Sequence, residues 1–369
     1  MIKRFAGWTL LIAACLAGPA LAADDEVVPV KPDQPGTYTV QPGDTLWGIS
    51  EKFLRNPWQW PEVWHVNEQV GNPHRIFPGD VLRLTWKDGK PSMTVESRVT
   101  GEAGSAVVSE TVEAGMDVVK LRPAIRELPL SEAIPAIPLR AIKAFLNDSR
   151  VATAEELSAA PYLAAGPDRR IIMGRGDLAY GRDVMDRWAT ASPEYGVYRA
   201  GVVYRDPDTD ELLGYEAKRV GNARVIDFEG EIATLRILSS DGELRVQDKL
   251  LYDDPRAIQS LFNPRAAPEG VQGKIIEMFG SLGYAARNDV VVLNLGLRDQ
   301  IQPGHVFAVM HKGEVVRDRQ RGDLIATPAI NTGHVIVFRS FDKVSYALVT
   351  GSTRPLLRGD LVKRPRAEL

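Results

Sequence analysis

A segment of fifty residues near the N-terminus restricts the fold of this chain more than any other part of its sequence. Residues 37–86 contain two short strand patterns, and between them lie two stretches with apolar residues at helical spacing, such as Leu46 and Phe53. Turns with the sequence Pro-Gly-Asp occur at 42–44 and 78–80, and Asp44 is placed to cap the first helix. The order strand, helix, helix, strand predicts one small βααβ domain.

The first 22 residues have the pattern of a secretory signal peptide. Lys3 and Arg4 provide positive charge, residues 5–18 are apolar, and Ala20–Ala22 forms a small-x-small cleavage site. Cleavage after Ala22 would leave a mature chain without cysteine, because Cys15 is the only one in the sequence. Residues 12–15 also fit a lipobox, which would instead attach a lipid to Cys15. We favour simple cleavage and predict a periplasmic, wall-associated protein that folds without disulfides.

Changes in composition divide the chain into six segments. We predict a signal peptide at 1–22, an acidic, proline-containing tether at 23–36, the βααβ domain at 37–86, a linker at 87–118 in which extra strands could pair, a mixed α/β region at 119–194 and a mainly β region at 195–369. The mixed region has helical patterns at 139–147 and 154–159. After the signal, no apolar run reaches the length of a membrane-spanning helix.

The mainly β region contains a weak internal repeat. Similar strands begin at Gly221, Gly273 and Gly333, and each is followed by a similar closing turn and strand. Such units are typical of small barrels or sandwiches. The predicted fold class is therefore multidomain α+β, with a small βααβ domain followed by a mainly β region of barrel-like or sandwich-like repeated units.

The charge of the chain argues against nucleic acid as a partner. The sequence has 45 Lys and Arg against 48 Asp and Glu, a net charge of −3. Loss of the signal peptide would make the mature chain more acidic. Phosphate contacts require a surplus of basic side chains, so we predict that the chain does not bind nucleic acid.

Three parts of the βααβ segment resemble the LysM family of glycan-binding domains. The matching residues are Tyr38–Ser50, Trp64–Asn67 and Ile76–Leu84, which reproduce the family's opening, central asparagine and closing patterns. The resemblance covers about an eighth of the chain. It implies binding of N-acetylglucosamine-containing glycans, chiefly peptidoglycan, in a shallow groove between the two turns. By this resemblance the groove would be lined by Gly43, Asp44, Thr45, Leu46, Ile76, Phe77 and Pro78.

Several of these residues also have a purely structural interpretation. Leu46 and Ile76 are equally suited to the hydrophobic core, so Thr45 and Phe77 are the best candidates for sugar contacts. Five tryptophans lie in or beside the segment and either stack on sugars or pack the fold; packing is favoured for most of them. These are Trp47, Trp58, Trp60, Trp64 and Trp86.

The sequence shows no pattern of a wall-cutting enzyme. A mature chain without cysteine excludes cysteine peptidases and transpeptidases, and the five histidines lack zinc-site spacing. Gly174–Asp177 lacks the Lys and Ser/Thr of a phosphate loop and is interpreted as a strand turn. Carboxylates are abundant, so a glycosidase pair stays open. We predict no enzymatic activity, no metal and no cofactor.

The layout of the whole chain resembles the secretin-associated proteins of type IV pili in Gram-negative bacteria (the TsaP family). Its last segment, from Gly333 to Val362, resembles the C-terminal module of the flagellar assembly protein FlgT. The resemblance implies that the LysM end binds the wall while the remainder contacts an outer-membrane secretin ring, and the charged turn Arg205–Asp210 suits such a platform. Two alternatives remain: a wall-binding structural or morphogenesis protein with another partner, and a peptidoglycan hydrolase with an unrecognised catalytic site.

Overall fold

The computed structural model describes most of the chain as strands and a few short helices. The described residues are 28–64, 76–87, 89–97, 134–147, 149–185, 188, 194–252, 263–279 and 283–366. The predicted signal peptide, the lipobox at Cys15 and most of the predicted linker lie outside them. Among the described helices, none combines the length and apolar character needed to cross a membrane. The α+β class is confirmed, and the mainly β part is built of barrels.

The first unit is the expected small domain with one additional strand. Three antiparallel strands form a sheet in the order β1-β2-β3, covered by the helices. The elements are β1 (Thr37–Thr39), α1 (Leu46–Phe53), a 3-10 helix (Pro57–Gln59), α2 (Trp60–Trp64), β2 (Val81–Lys87) and β3 (Lys90–Ser97). β3 lies in the predicted linker. It belongs to the domain because it pairs with β2 and buries Met93 in the core.

The helix cap predicted at Asp44 is wrong, and the cap is Thr45. The Thr45 Oγ1 atom accepts a hydrogen bond from the Gly48 N–H at 3.0 Å. The Asp44 carboxylate instead accepts from the Gln41 N–H at 2.8 Å and from the Tyr38 hydroxyl at 2.9 Å. Asp44 stands one position too early to cap α1 and closes the preceding turn.

The second unit is a six-stranded closed barrel. Its strands pair in the order β10-β7-β5-β12-β8-β9, and β9 pairs with β10 to close the ring, while β4 extends β9. The elements from α3 onward are α3 (Leu139–Asn147), β4 (Ser149–Ala152), α4 (Ala154–Ala159), β5 (Tyr162–Ala165), a 3-10 helix (Pro167–Arg169), β6 (Ile172–Met173), β7 (Leu178–Arg182), β8 (Glu194–Arg205), β9 (Leu212–Glu229), β10 (Ile232–Ser240), β11 (Leu244–Arg245) and β12 (Lys249–Leu251). The boundary predicted at residue 194 falls inside this barrel, because β5 and β7 pair with β12 and β10.

The third unit is also a closed six-stranded barrel, and we call it the second barrel. Its strands pair in the order β16-β19-β20-β15-β14-β21, β21 returns to β16, and β13 adds alongside β16. The elements are β13 (Arg265–Ala266), β14 (Gln272–Phe279), β15 (Val290–Leu293), a 3-10 helix (Leu297–Asp299), β16 (His305–His311), β17 (Val315–Arg317), β18 (Leu324–Ala326), β19 (Ile330–Ser340), β20 (Ser345–Ser352) and β21 (Leu361–Lys363). Among the described strands, β17 and β18 pair only with each other.

The three glycines of the predicted repeat lie where barrel strands pass close to other chain segments. A Cβ atom on Gly221 would lie 2.3 Å from the Ser239 carbonyl oxygen, and one on Gly333 would lie 2.3 Å from the Gly351 carbonyl oxygen. A Cβ atom on Gly273 would lie 2.5 Å from the Cγ atom of Leu295. A side chain at Gly221 or Gly333 would clash with backbone, and one at Gly273 would clash with neighbouring side chains, which accounts for glycine at these positions.

One hydrophobic core joins the LysM-like unit to the second barrel. Phe145 and Leu146 of α3 pack against this core, and the Phe145 ring lies 4.8 Å from that of Phe279. Arg339 of β19 donates to the carbonyl oxygens of Leu146 at 3.1 Å and Ser149 at 2.7 Å. α3 is thereby fixed to the outer surface of the second barrel.

The turn at 205–210, which the sequence analysis assigned to a contact platform, holds the two barrels together. The Asn294 side-chain amide donates to the Asp206 carboxylate at 2.7 Å, and Lys274 pairs with Asp208. Just beyond the turn, Glu211 accepts from Arg298 at 2.8 Å and from Lys343 at 2.7 Å. The charges of this loop are used within the molecule.

Candidate functional site

Two similar turns lie side by side at one end of the first unit. In the turn 41–44 the Asp44 carboxylate accepts the Gln41 N–H, and in the turn 77–80 Asp80 accepts the Phe77 N–H at 3.1 Å. Val40 joins them, since its N–H donates to the Asp80 carbonyl at 2.9 Å and its carbonyl accepts from the Gly79 N–H at 2.8 Å. The two turns therefore form a single surface.

The structure places all seven predicted groove residues on or beside these two turns. Leu46 and Ile76 are almost fully buried, with exposures of 2% and 0%, and belong to the core. Asp44, Thr45 and Phe77 are half-buried, whereas Gly43 and Pro78 are exposed. Leu46 and Ile76, the apolar floor expected of a sugar-binding groove, are therefore not accessible in this structure, whereas the residues at its rim are at least partly accessible.

A segment from elsewhere in the chain crosses this surface, and we call Ile134–Ile137 the strap. The Leu46 N–H donates to the Pro135 carbonyl at 3.0 Å, and the Trp47 N–H donates to the Ala136 carbonyl at 3.1 Å. On the opposite side, the Ile134 N–H donates to the Ile76 carbonyl at 2.8 Å. The sequence shows an isoleucine-proline pattern here, but nothing in that pattern predicts where it binds.

The tryptophans divide as the packing interpretation expects. Four of them are at most 5% exposed and pack α1, the 3-10 helix and α2 together; they are Trp47, Trp58, Trp60 and Trp64. Trp86, on β2, is 60% exposed. Of the five, only Trp86 presents much of its ring to solvent.

A cleft of about 790 Å³ opens where the first unit meets the second barrel. Trp58 and Glu62 line one side, and four basic side chains line the other, namely Arg265, Lys363, Arg364 and Arg366. Two of these cations already have partners: Arg364 pairs with Glu269 at 3.2 Å, and Arg265 donates to Gln302 at 2.6 Å.

Of the described histidines, His305 closes a turn and His311 contacts a carboxylate. His305 accepts the Gln302 N–H on Nδ1 at 3.2 Å, and burial together with the nearby Arg265 lowers the pKa of His305 to about 4. His311 contacts Asp360 at 2.7 Å. Over the described ranges, no three His, Cys, Asp or Glu side chains converge in a way that could hold a metal ion.

Comparison with known proteins identifies the first unit. Residues 38–85 match the LysM domain family, and residues 38–85 are therefore a LysM domain. A stretch of 60 residues is 38% identical to the uncharacterized protein YqbP of Bacillus subtilis (strain 168). That stretch covers 14% of this chain and 27% of YqbP, so the similarity extends over about a quarter of the relative. The LysM class binds N-acetylglucosamine-containing glycans such as peptidoglycan.

Proposed function

We propose that this protein is a non-enzymatic anchor of the bacterial cell envelope. Its LysM domain binds peptidoglycan through the surface of the two turns, and its barrels contact a second envelope component. The observation that carries the proposal is the LysM domain at 38–85. Export through the predicted signal peptide would place the chain in the periplasm.

The body of the protein is suited to transmit load between two partners. The LysM domain is connected to the second barrel by a shared core and by an ion pair between Glu51 and Arg287 at 2.7 Å. The two barrels are connected by the loop that contains Glu211. Such a body resists separation of its units, as an anchor under tension requires.

The hairpin β17–β18 is our candidate for the contact with the partner. It pairs with no other described strand, and its apolar side chains are open to solvent. The most exposed are Val315 at 64%, Leu324 at 71% and Ile325 at 47%. Exposed apolar side chains on a projecting element are typical of interaction sites. We propose the outer-membrane secretin ring of type IV pili as this partner, on the resemblance of the chain's layout.

Sedimentation with purified sacculi tests the glycan half of the proposal. The full chain should pellet with sacculi, and Thr45→Arg should abolish pelleting because a long cationic side chain would fill the rim of the groove. Thr45→Ser is the matched control, since serine preserves the cap of α1. Circular dichroism checks that each variant is folded. Equal pelleting of the arginine variant would contradict the groove assignment, and soluble muropeptides in the supernatant would contradict the non-enzymatic assignment.

Crosslinking in cells followed by capture of the tagged full chain tests the partner half. We expect a pilus secretin to be enriched, and we expect Leu324→Ser/Ile325→Ser to lose that enrichment while still pelleting with sacculi. Capture of division or wall-synthesis proteins without a secretin would reject the secretin. Unchanged capture by the double variant would reject the hairpin as the contact.

A further inference from the structure

The strap occupies the surface where the proposed glycan would bind. Two of its carbonyl oxygens accept hydrogen bonds from the Leu46 and Trp47 N–H groups. The Ile134 N–H of the strap donates to the Ile76 carbonyl. We propose that the strap is an intramolecular competitor of peptidoglycan, so that the LysM domain is closed in the structure and opens when glycan displaces residues 134–137. This inference rests on the proposed function of the groove.

The polar argument concerns the donors at the start of α1. The first amides of a helix have no partner within the helix, and Leu46 and Trp47 are the first two residues of α1. The strap satisfies both with carbonyl oxygens, at 3.0 and 3.1 Å. The carbonyl of an N-acetyl group is chemically the same acceptor, an amide oxygen. Sugar and strap would therefore bind these donors in the same way and cannot do so together.

The apolar argument concerns the floor of the groove. Ile134, Ala136 and Ile137 are exposed by only 4%, 1% and 1%, and they share one core cluster with Leu46 and Ile76. The strap thus covers the two side chains that the resemblance assigns to the sugar-facing floor. A sugar ring could reach that floor only after the isoleucines had left it.

Competition of this kind lowers the apparent affinity for glycan by the fraction of molecules that are open. The covalent connection between strap and domain keeps the competitor at a constant effective concentration, whatever the dilution. The wall, which presents many glycan repeats, would still displace it. The protein would then bind firmly to assembled peptidoglycan and weakly to short soluble fragments.

Hydrogen exchange of the full-length protein measured by mass spectrometry tests the inference directly. The probe is the hexamer of N-acetylglucosamine. On its addition, exchange should increase in the peptide that contains 134–137, while the peptide that contains Leu46 and Trp47 stays protected. Unchanged or stronger protection of the strap in the presence of bound hexamer would overturn the competition. If no LysM peptide responds and sacculi do not bind, the proposed function itself fails.

A variant provides the second measurement. Ile134→Ser/Ile137→Ser should bind the hexamer about tenfold more tightly than the natural chain, because the closed state is weakened. Ile301→Ser, which alters an equally buried residue in the second barrel, is the control and should leave affinity unchanged. If the natural chain binds sacculi but the double variant binds the hexamer no more tightly than the natural chain does, the strap inference is overturned and the proposed function stands. Such a result would direct attention to the cleft beside Trp58.

Discussion

At the scale of single residues, one turn recurs through all three units. In each copy the fourth residue is an aspartate whose carboxylate accepts the N–H of the first, and the third has a positive φ angle. The copies lie at 41–44, 77–80, 174–177, 245–248, 286–289 and 357–360. Glycine occupies the third position in four copies, and Gln247 and Asn288 occupy it in the others. The Gly174–Asp177 segment is one of them, which supports its interpretation as a strand turn.

The positive φ angle leads to a prediction for Gly43. Its φ is +91° and no atom would obstruct a Cβ, so Gly43→Ala should destabilise the LysM domain through backbone strain alone, by about 1–2 kcal/mol. Gly36→Ala is the matched control, because Gly36 is equally open but has no positive φ. Denaturation followed by tryptophan fluorescence measures the effect. Equal stability of the two variants would contradict the assignment of strain to φ.

At the scale of elements, α3 is stabilised both by its local sequence and by contacts with residues far along the chain. The helical pattern predicts 139–147, and the structure has α3 over the same residues. The end of the helix depends on a residue far along the chain, since Arg339 donates to the last carbonyls, including Phe145 at 3.2 Å. The strap directly precedes α3, so movement of the strap would occur beside a fixed helix. The hydrogen-exchange experiment above should accordingly show change in 134–137 and little in α3.

At the scale of the whole molecule, ionic contacts link the two barrels. The hydrogen bonds from Arg298 and Lys343 lower the pKa of Glu211 from 4.5 to about 2. For Asp206 in the same loop, burial opposes ionisation, but the bonds from Asn294 and nearby backbone N–H groups lower the pKa to about 2. Both carboxylates stabilise the assembled barrels only while they are ionised.

This ionisation predicts a pH-dependent contact between the barrels. Because the folded pKa of Glu211 lies below its unfolded value, its contribution is complete above about pH 5 and is lost as the pH falls toward 2. Thermal unfolding of the full chain and of Glu211→Gln should differ most near neutral pH and converge near pH 2. The difference should be small, since solvent screens this exposed group. An equal difference at both pH values would exclude Glu211 as its source.

Much of the local structure could be predicted from the sequence. The alternation and spacing of apolar residues predicted β1, α1, β2, α3 and α4, because these periods reflect which face of an element is buried. The LysM motif predicted the LysM domain, which the family match at 38–85 confirms, and the role of its groove residues stays a prediction. The cap of α1 was assigned to Asp44 and belongs to Thr45, since the sequence pattern does not fix the exact position of a helix end.

The sequence by itself determined the elements whose hydrogen bonds and burial are local: the turns, the helices and the LysM domain. Only the tertiary structure decided the closure of the two barrels, the use of the loop at 205–210 between them, and the strap in the groove. These features depend on contacts between residues far apart in the chain, such as Leu46 with Pro135 and Phe145 with Arg339. Such contacts leave no periodic pattern in the sequence. Whether two distant residues meet depends on how the chain between them folds.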